Sequence, residues 1–128
     1  MPDVQVNRMK VLIVESKPEL GELWMRHLER QGATVTLVRT QSAAILALYG
    51  DAFDVIVLDL VLDGGSALAV ADFASYRRPE TRVIFVTNTS FFSDGSIFAH
   101  SSNACAYVQS ATPPEDLAAM VEHYAAPR

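Results

Sequence analysis

The sequence contains a single cysteine, Cys105, so no disulfide closes within the chain and no multi-cysteine metal site can be assembled. Basic residues are scarce: 10 Lys and Arg stand against 15 Asp and Glu, for a formal charge of -5, and the only basic run of note is Arg77-Arg78. A surface of that sign repels a phosphate backbone, which argues against direct nucleic-acid binding. Apolar runs such as 55–58 are strand-sized, far short of the roughly 20 residues that a membrane-spanning helix needs, so no membrane association is expected. The first ten residues lack the basic-then-apolar order of a secretory leader, and the expected compartment is the cytoplasm. There is no Walker loop, no GxGxxG and no Ser-His-Asp order on converging elements. The histidines His27, His100 and His123 show no metal-ligand spacing.

Half of the 128 residues are apolar and 20% are charged, with a mean hydropathy of +0.18, enough for one domain with a sizeable core. Five short runs rich in β-branched residues, 10–14, 34–38, 55–58, 83–86 and 106–108, alternate with segments of helical period. The third and fourth runs lack in-out alternation, the mark of strands covered on both faces and hence of a parallel sheet. Between the first two runs, Leu20, Leu23, Trp24, His27 and Leu28 recur at i, i+3, i+4, i+7 and i+8, which predicts an amphipathic helix over 18–30. Ser16-Lys17-Pro18-Glu19 reads as its capping box, with Ser16 as N-cap, and Gly32 as its stop. Thr112-Pro113-Pro114-Glu115 repeats the device before a last helix with Leu117, Met120, Val121 and Tyr124 on one face and His123 near its negative end. Further helices are predicted over 41–49 and 66–77. A fourth is predicted around 93–101 despite Gly95 and several serines.

The fold expected from this alternation is α/β: a single doubly wound five-stranded parallel sheet, (βα)5, of flavodoxin-like order 2-1-3-4-5. It spans 1–128 as one domain, with 1–9 as an N-terminal extension and no output domain. Such sheets bind ligands beyond the carboxyl ends of the strands at the switch in strand order, here between the first and third strands. That selects Glu15, Ser16 and Asp59. Two carboxylates at one rim point to a divalent cation or a raised pKa.

Four segments carry a resemblance: Val11-Leu12-Ile13-Val14-Glu15 followed by Lys17-Pro18-Glu19-Leu20; Asp54-Val55-Ile56-Val57-Leu58-Asp59-Leu60; Val83-Ile84-Phe85-Val86-Thr87; and Ala104-Cys105-Ala106-Tyr107-Val108. Over nearly the whole chain this order resembles the receiver domain of two-component response regulators. The resemblance implies that Asp59 is the phosphoacceptor, that Thr87 bonds a phosphoryl oxygen, and that Tyr107 is a switch aromatic that rotates inward. It implies as partners a histidine kinase or phosphotransfer protein and a downstream protein. The signalling face, and a homodimer contact, would be built from the helix at 93–101, the fifth strand and the last helix.

Two positions depart from the family. The second of two adjacent acids after the first strand, a direct magnesium ligand in the family, is Ser16. The Lys-Pro pair three residues beyond the switch aromatic is Ser110-Ala111. Losing an acid together with a lysine nearly cancels in charge, so the fold is expected to persist with its phosphorylation chemistry weakened. Ser16 is then explained as an N-cap contributing about 1 kcal/mol. A Mg2+ site made from Glu15 and Asp59 is expected to be weak or absent. Lys17 and Asp63 are the local candidates for compensation, and Asn88, larger than the family's usual residue there, would narrow access.

The leading expectation is a stand-alone, atypical receiver in phosphorelay signalling, not an enzyme, acting through protein contacts with Asp59 as an impaired phosphoacceptor. The competing readings are a fully competent phosphoacceptor fed by a histidine kinase and a flavodoxin-like small-ligand binder. Phe91, Phe92 and Phe98 either close the core or mark a partner surface.

Overall fold

Uninterrupted β-branched and aliphatic runs become the strands of a five-stranded sheet, and the amphipathic segments between them become its covering helices. A computed structural model describes residues 9–87 and 103–125. The element order is β1 (Lys10–Val14), α1 (Pro18–Arg30), β2 (Thr34–Val38), α2 (Gln41–Gly50), β3 (Val55–Asp59), α3 (Ala67–Arg77), β4 (Arg82–Thr87), β5 (Ala104–Gln109) and α4 (Pro114–Ala125). All neighbouring strands pair in parallel in the order β2-β1-β3-β4-β5, the doubly wound arrangement expected. The helix expected at 93–101, with Phe91, Phe92, Phe98, His100 and Asn88, lies outside the described residues.

Strand periodicity divides the core into two layers. Leu12, Val14, Ile56, Leu58, Val83 and Phe85 face α2 and α3, whereas Val11, Ile13, Val55, Val57, Ile84 and Val86 face Trp24 and Leu28 of α1 and Leu117 and Val121 of α4. All twelve of these strand side chains are fully buried, which is why the three central strands read as continuous apolar runs. Burying each such side chain contributes about 1.5–3 kcal/mol, so the sheet is held chiefly by these two layers.

Helix starts follow local chemistry, with one correction. Thr40 Oγ1 accepts the Ala43 amide at 3.2 Å and Ser66 Oγ accepts the Ala69 amide at 3.3 Å, capping α2 and α3. At α1 the expected Ser16 cap is not made. Pro18 occupies the first helical position, which makes the extended Lys17 the N-cap, and no side chain caps the helix. The same shift occurs at α4, which begins at Pro114; the Pro113 carbonyl, not Thr112, accepts the Asp116 and Leu117 amides. The end of α1 is as expected. Gly32 takes a φ of 92°, the left-handed conformation that glycine adopts without a Cβ clash.

The β4–β5 ladder shifts register between Val83 and Ile84, so Ala104 opposes Val83 while Ala106 opposes Ile84 and Cys105 is the additional residue. Beyond this irregularity Tyr107 lies opposite Phe85 and packs, half-buried, on the α2–α3 side of the sheet.

Candidate functional site

The carboxyl ends of β1, β3 and β4 meet at one rim because their apolar runs stop at the same level. Val14 pairs with Leu58, and Asp59 pairs with Val86, so Glu15, Asp59 and Thr87 emerge side by side from three adjacent strands. All three are buried, with Glu15 at 1% and Asp59 at 8% exposure. Backbone geometry orients both acids. Asp59 Oδ1 accepts the Val61 amide at 2.9 Å, and Glu15 Oε2 accepts the Lys17 amide at 3.0 Å. The second oxygen of Glu15, Oε1, is buried without a hydrogen-bond partner among the described residues.

A carboxylate removed from water beside another carboxylate resists ionisation. Burial pushes the Glu15 carboxyl from its ordinary 4.5 up to about 8, and the neighbouring Asp59 carboxyl adds to this by favouring the protonated form. The Lys17 amide and ammonium pull the other way, less strongly. Two acceptor-only carboxylates can be joined only by a proton or a cation, so the unpartnered Oε1 of Glu15 and the Asp59 carboxylate form the donor pair that fits a hard cation. Magnesium is commonly bound by one or two carboxylates while it keeps several waters. No cluster of three or more His, Cys, Asp or Glu side chains suited to a metal is found among the described residues.

Ser16 is buried at the same rim but is already engaged. Its hydroxyl donates to the Arg39 carbonyl and accepts the Asp63 amide, each at 2.8 Å. Lys17 and Asp63 are both exposed, and each meets the rim through its backbone amide. Ser110 stands at the rim next to β4, its amide donating to the Thr87 carbonyl at 2.7 Å. Tyr107 lies two residues further down β5 than Gln109, the partner of Thr87.

Sequence reasoning missed two residues that complete this edge. Arg39, just past β2, accepts the Ser16 hydroxyl and places its guanidinium 3.5 Å from the Ser16 carbonyl. Gln41 binds the loop after β3 twice: its amide donates to the Gly64 carbonyl, and its Oε1 accepts the Ser66 amide. Their place after the strand that flanks β1 was the available signal, since that position borders the crevice in this topology.

A five-stranded 2-1-3-4-5 sheet with two carboxylates at its rim is a flavodoxin-like fold of the receiver type. The sequence pattern of the response regulator receiver domain matches residues 11–122, and the chain belongs to that family, the receiver domains of two-component response regulators. It is 31% identical over 83 residues to the transcriptional regulatory protein TcrA of Mycobacterium tuberculosis, a match covering 65% of this chain and 33% of that protein. The chain thus spans about a third of the length of that relative. A CheY-like receiver domain protein from Methanospirillum hungatei superposes with a TM-score of 0.84 at 19% identity, covering 92% of this chain and 94% of the other. The response regulator DrrB of Thermotoga maritima superposes with a TM-score of 0.80 at 26% identity, covering 91% of this chain and 52% of the other. No helix among the described residues is long and apolar enough to cross a membrane.

Proposed function

We propose that this receiver works chiefly through protein contacts and that Asp59 is an impaired phosphoacceptor. In phosphoryl transfer a carboxylate oxygen of Asp59 forms a bond to phosphorus as the donor's bond to phosphorus breaks. Negative charge spread over the equatorial oxygens must then be offset by groups already held in place. By resemblance, a complete rim brings three acids and a lysine to that task; here Glu15 and Asp59 are the acids, and Ser110 stands at the lysine position.

The observation that carries the reading is the engagement of Ser16. Its proton goes to the Arg39 carbonyl and it accepts the Asp63 amide, so no anionic ligand occupies the place of the second acid. Magnesium, when bound, supplies positive charge toward the phosphoryl oxygens. Glu15 and Asp59 would hold it, but a Glu15 carboxyl raised to about 8 must give up its proton first, which weakens the site at neutral pH. Thr87 would donate its hydroxyl to a phosphoryl oxygen, and Tyr107 would report the change from β5. Under this reading a histidine kinase or phosphotransfer protein acts upstream and a protein target downstream.

The test is intact mass after incubation with acetyl phosphate and millimolar Mg2+, with Asp59→Asn as control. The expected result is no stable adduct in a folded sample. An added phosphoryl group that disappears in Asp59→Asn would overturn the impairment and make the chain a competent phosphoacceptor.

A further inference from the structure

The loop after β3 is hydrogen-bonded along most of its length. The Leu60 amide donates to the Val86 carbonyl at 2.8 Å, which continues the sheet, and the Val61 amide donates to Asp59 Oδ1 at 2.9 Å. The next three bonds come from other strand ends. The Asp63 amide donates to Ser16 Oγ at 2.8 Å, the Gly64 carbonyl accepts the Gln41 amide at 2.9 Å, and the Ser66 amide donates to Gln41 Oε1 at 2.8 Å. Ser16 follows β1 and Gln41 opens α2 just past β2, so the ends of three strands are joined through one loop.

Local sequence permits this close approach. A Cβ on Gly64 would stand 3.3 Å from Thr40 Cγ2, and one on Gly65 only 2.4 Å from Gln41 Cβ. Leu60 and Leu62 pack on the α2–α3 core layer, whereas Val61 and residues 63–66 are exposed. For these exposed residues hydrogen bonds, more than packing, set where the backbone lies.

We infer that Ser16 and Gln41 are positioning residues for Asp59. By fixing the loop at 63, 64 and 66 they fix the Val61 amide, and that amide sets the turn of the Asp59 carboxylate. The role rests on the reading of Asp59 as the phosphoacceptor. In-line transfer needs the accepting oxygen in place before the donor arrives, and a small misplacement is costly. Charge at the rim and placement of the carboxylate are separate requirements, and Ser16 and Gln41 serve the second.

Solution NMR on the full chain tests this through two signals. One is the exchange rate of the Val61 amide divided by that of Leu60, whose bond belongs to the sheet. The other is the side-chain carboxyl-carbon resonance of Asp59. Gln41→Leu removes Oε1 and keeps the backbone bond to Gly64, while Ser16→Ala removes the hydroxyl. Each should raise the Val61-to-Leu60 ratio about five- to ten-fold, the effect of one lost hydrogen bond on a local opening, and shift the Asp59 resonance. Gln41→Glu still accepts the Ser66 amide and should leave both signals at their wild-type values. A folding defect raises both amides together, so the ratio does not respond to it. Either signal unchanged in both Gln41→Leu and Ser16→Ala overturns the proposal, as does a Gln41→Glu chain that behaves like Gln41→Leu. Neither signal needs a phosphoryl group: the mass measurement decides whether Asp59 accepts one, and the NMR signals decide whether these two residues position it.

Discussion

The raised pKa of Glu15 makes stability depend on pH in a predictable direction. In the unfolded chain Glu15 ionises near 4.5, whereas in the folded rim it keeps its proton to about pH 8. Between these values the folded state binds more protons, so stability is fully present below pH 4.5, falls as pH rises, and levels off above about 8. At pH 7 the chain is 2.5 pH units above the ordinary value, worth about 3 kcal/mol at 1.36 kcal/mol per unit, and roughly 2–3 kcal/mol once water at the rim is allowed for. With a urea m-value of about 1–3 kcal/mol/M, the midpoint should drop by roughly 1–2 M between pH 5 and 8. Glu15→Gln keeps the shape and removes the charge. It should raise the midpoint at pH 8 and flatten the profile, with m unchanged. A wild-type midpoint that is level from pH 5 to 8, or an equal slope in Glu15→Gln, would refute the reasoning.

Three other perturbations follow from the same rim. Asp59→Asn removes the like charge, so the pH window in which stability falls should move to lower pH, as read from the same urea profiles. Ser16→Ala strips the Asp63 amide and the Arg39 carbonyl of their shared partner and should cost about 1–2 kcal/mol by denaturation, while Ser16→Asp should destabilise the metal-free chain and gain Mg2+ binding measurable by calorimetry. Gly65→Ala should cost about 1–3 kcal/mol, because Gly65 has a φ of 103° and an added Cβ would collide with the Gln41 side chain; an unchanged melting temperature would show that the loop is not held by Gln41.

The rim is where a receiver's chemistry and its loop are joined. In this chain Ser16 and Gln41 together make three hydrogen bonds to the loop after β3, at Asp63, Gly64 and Ser66. A loop held this way is fixed by side chains that follow β1 and β2.

Periodicity and run length alone determined most of the architecture. The bounds of β1, α1 and β2 coincide with the segments 10–14, 18–30 and 34–38, because a strand buried on both faces or a one-sided helix writes its extent directly into apolar spacing. The same runs placed Glu15, Asp59 and Thr87 at one rim, since parallel strands with ends at a common level deliver the next residue to the same edge. Only the tertiary structure decided what Ser16 does: its partners Arg39 and Asp63 lie 23 and 47 residues away, and Pro18, not Ser16, sets the helix start. The protonation of Glu15 was equally a tertiary matter, because desolvation depends on what packs around a carboxyl and not on its neighbours in sequence. The setting of Tyr107 rests on the register shift in β5, which follows from how that strand pairs with β4 and leaves no mark in a short apolar run.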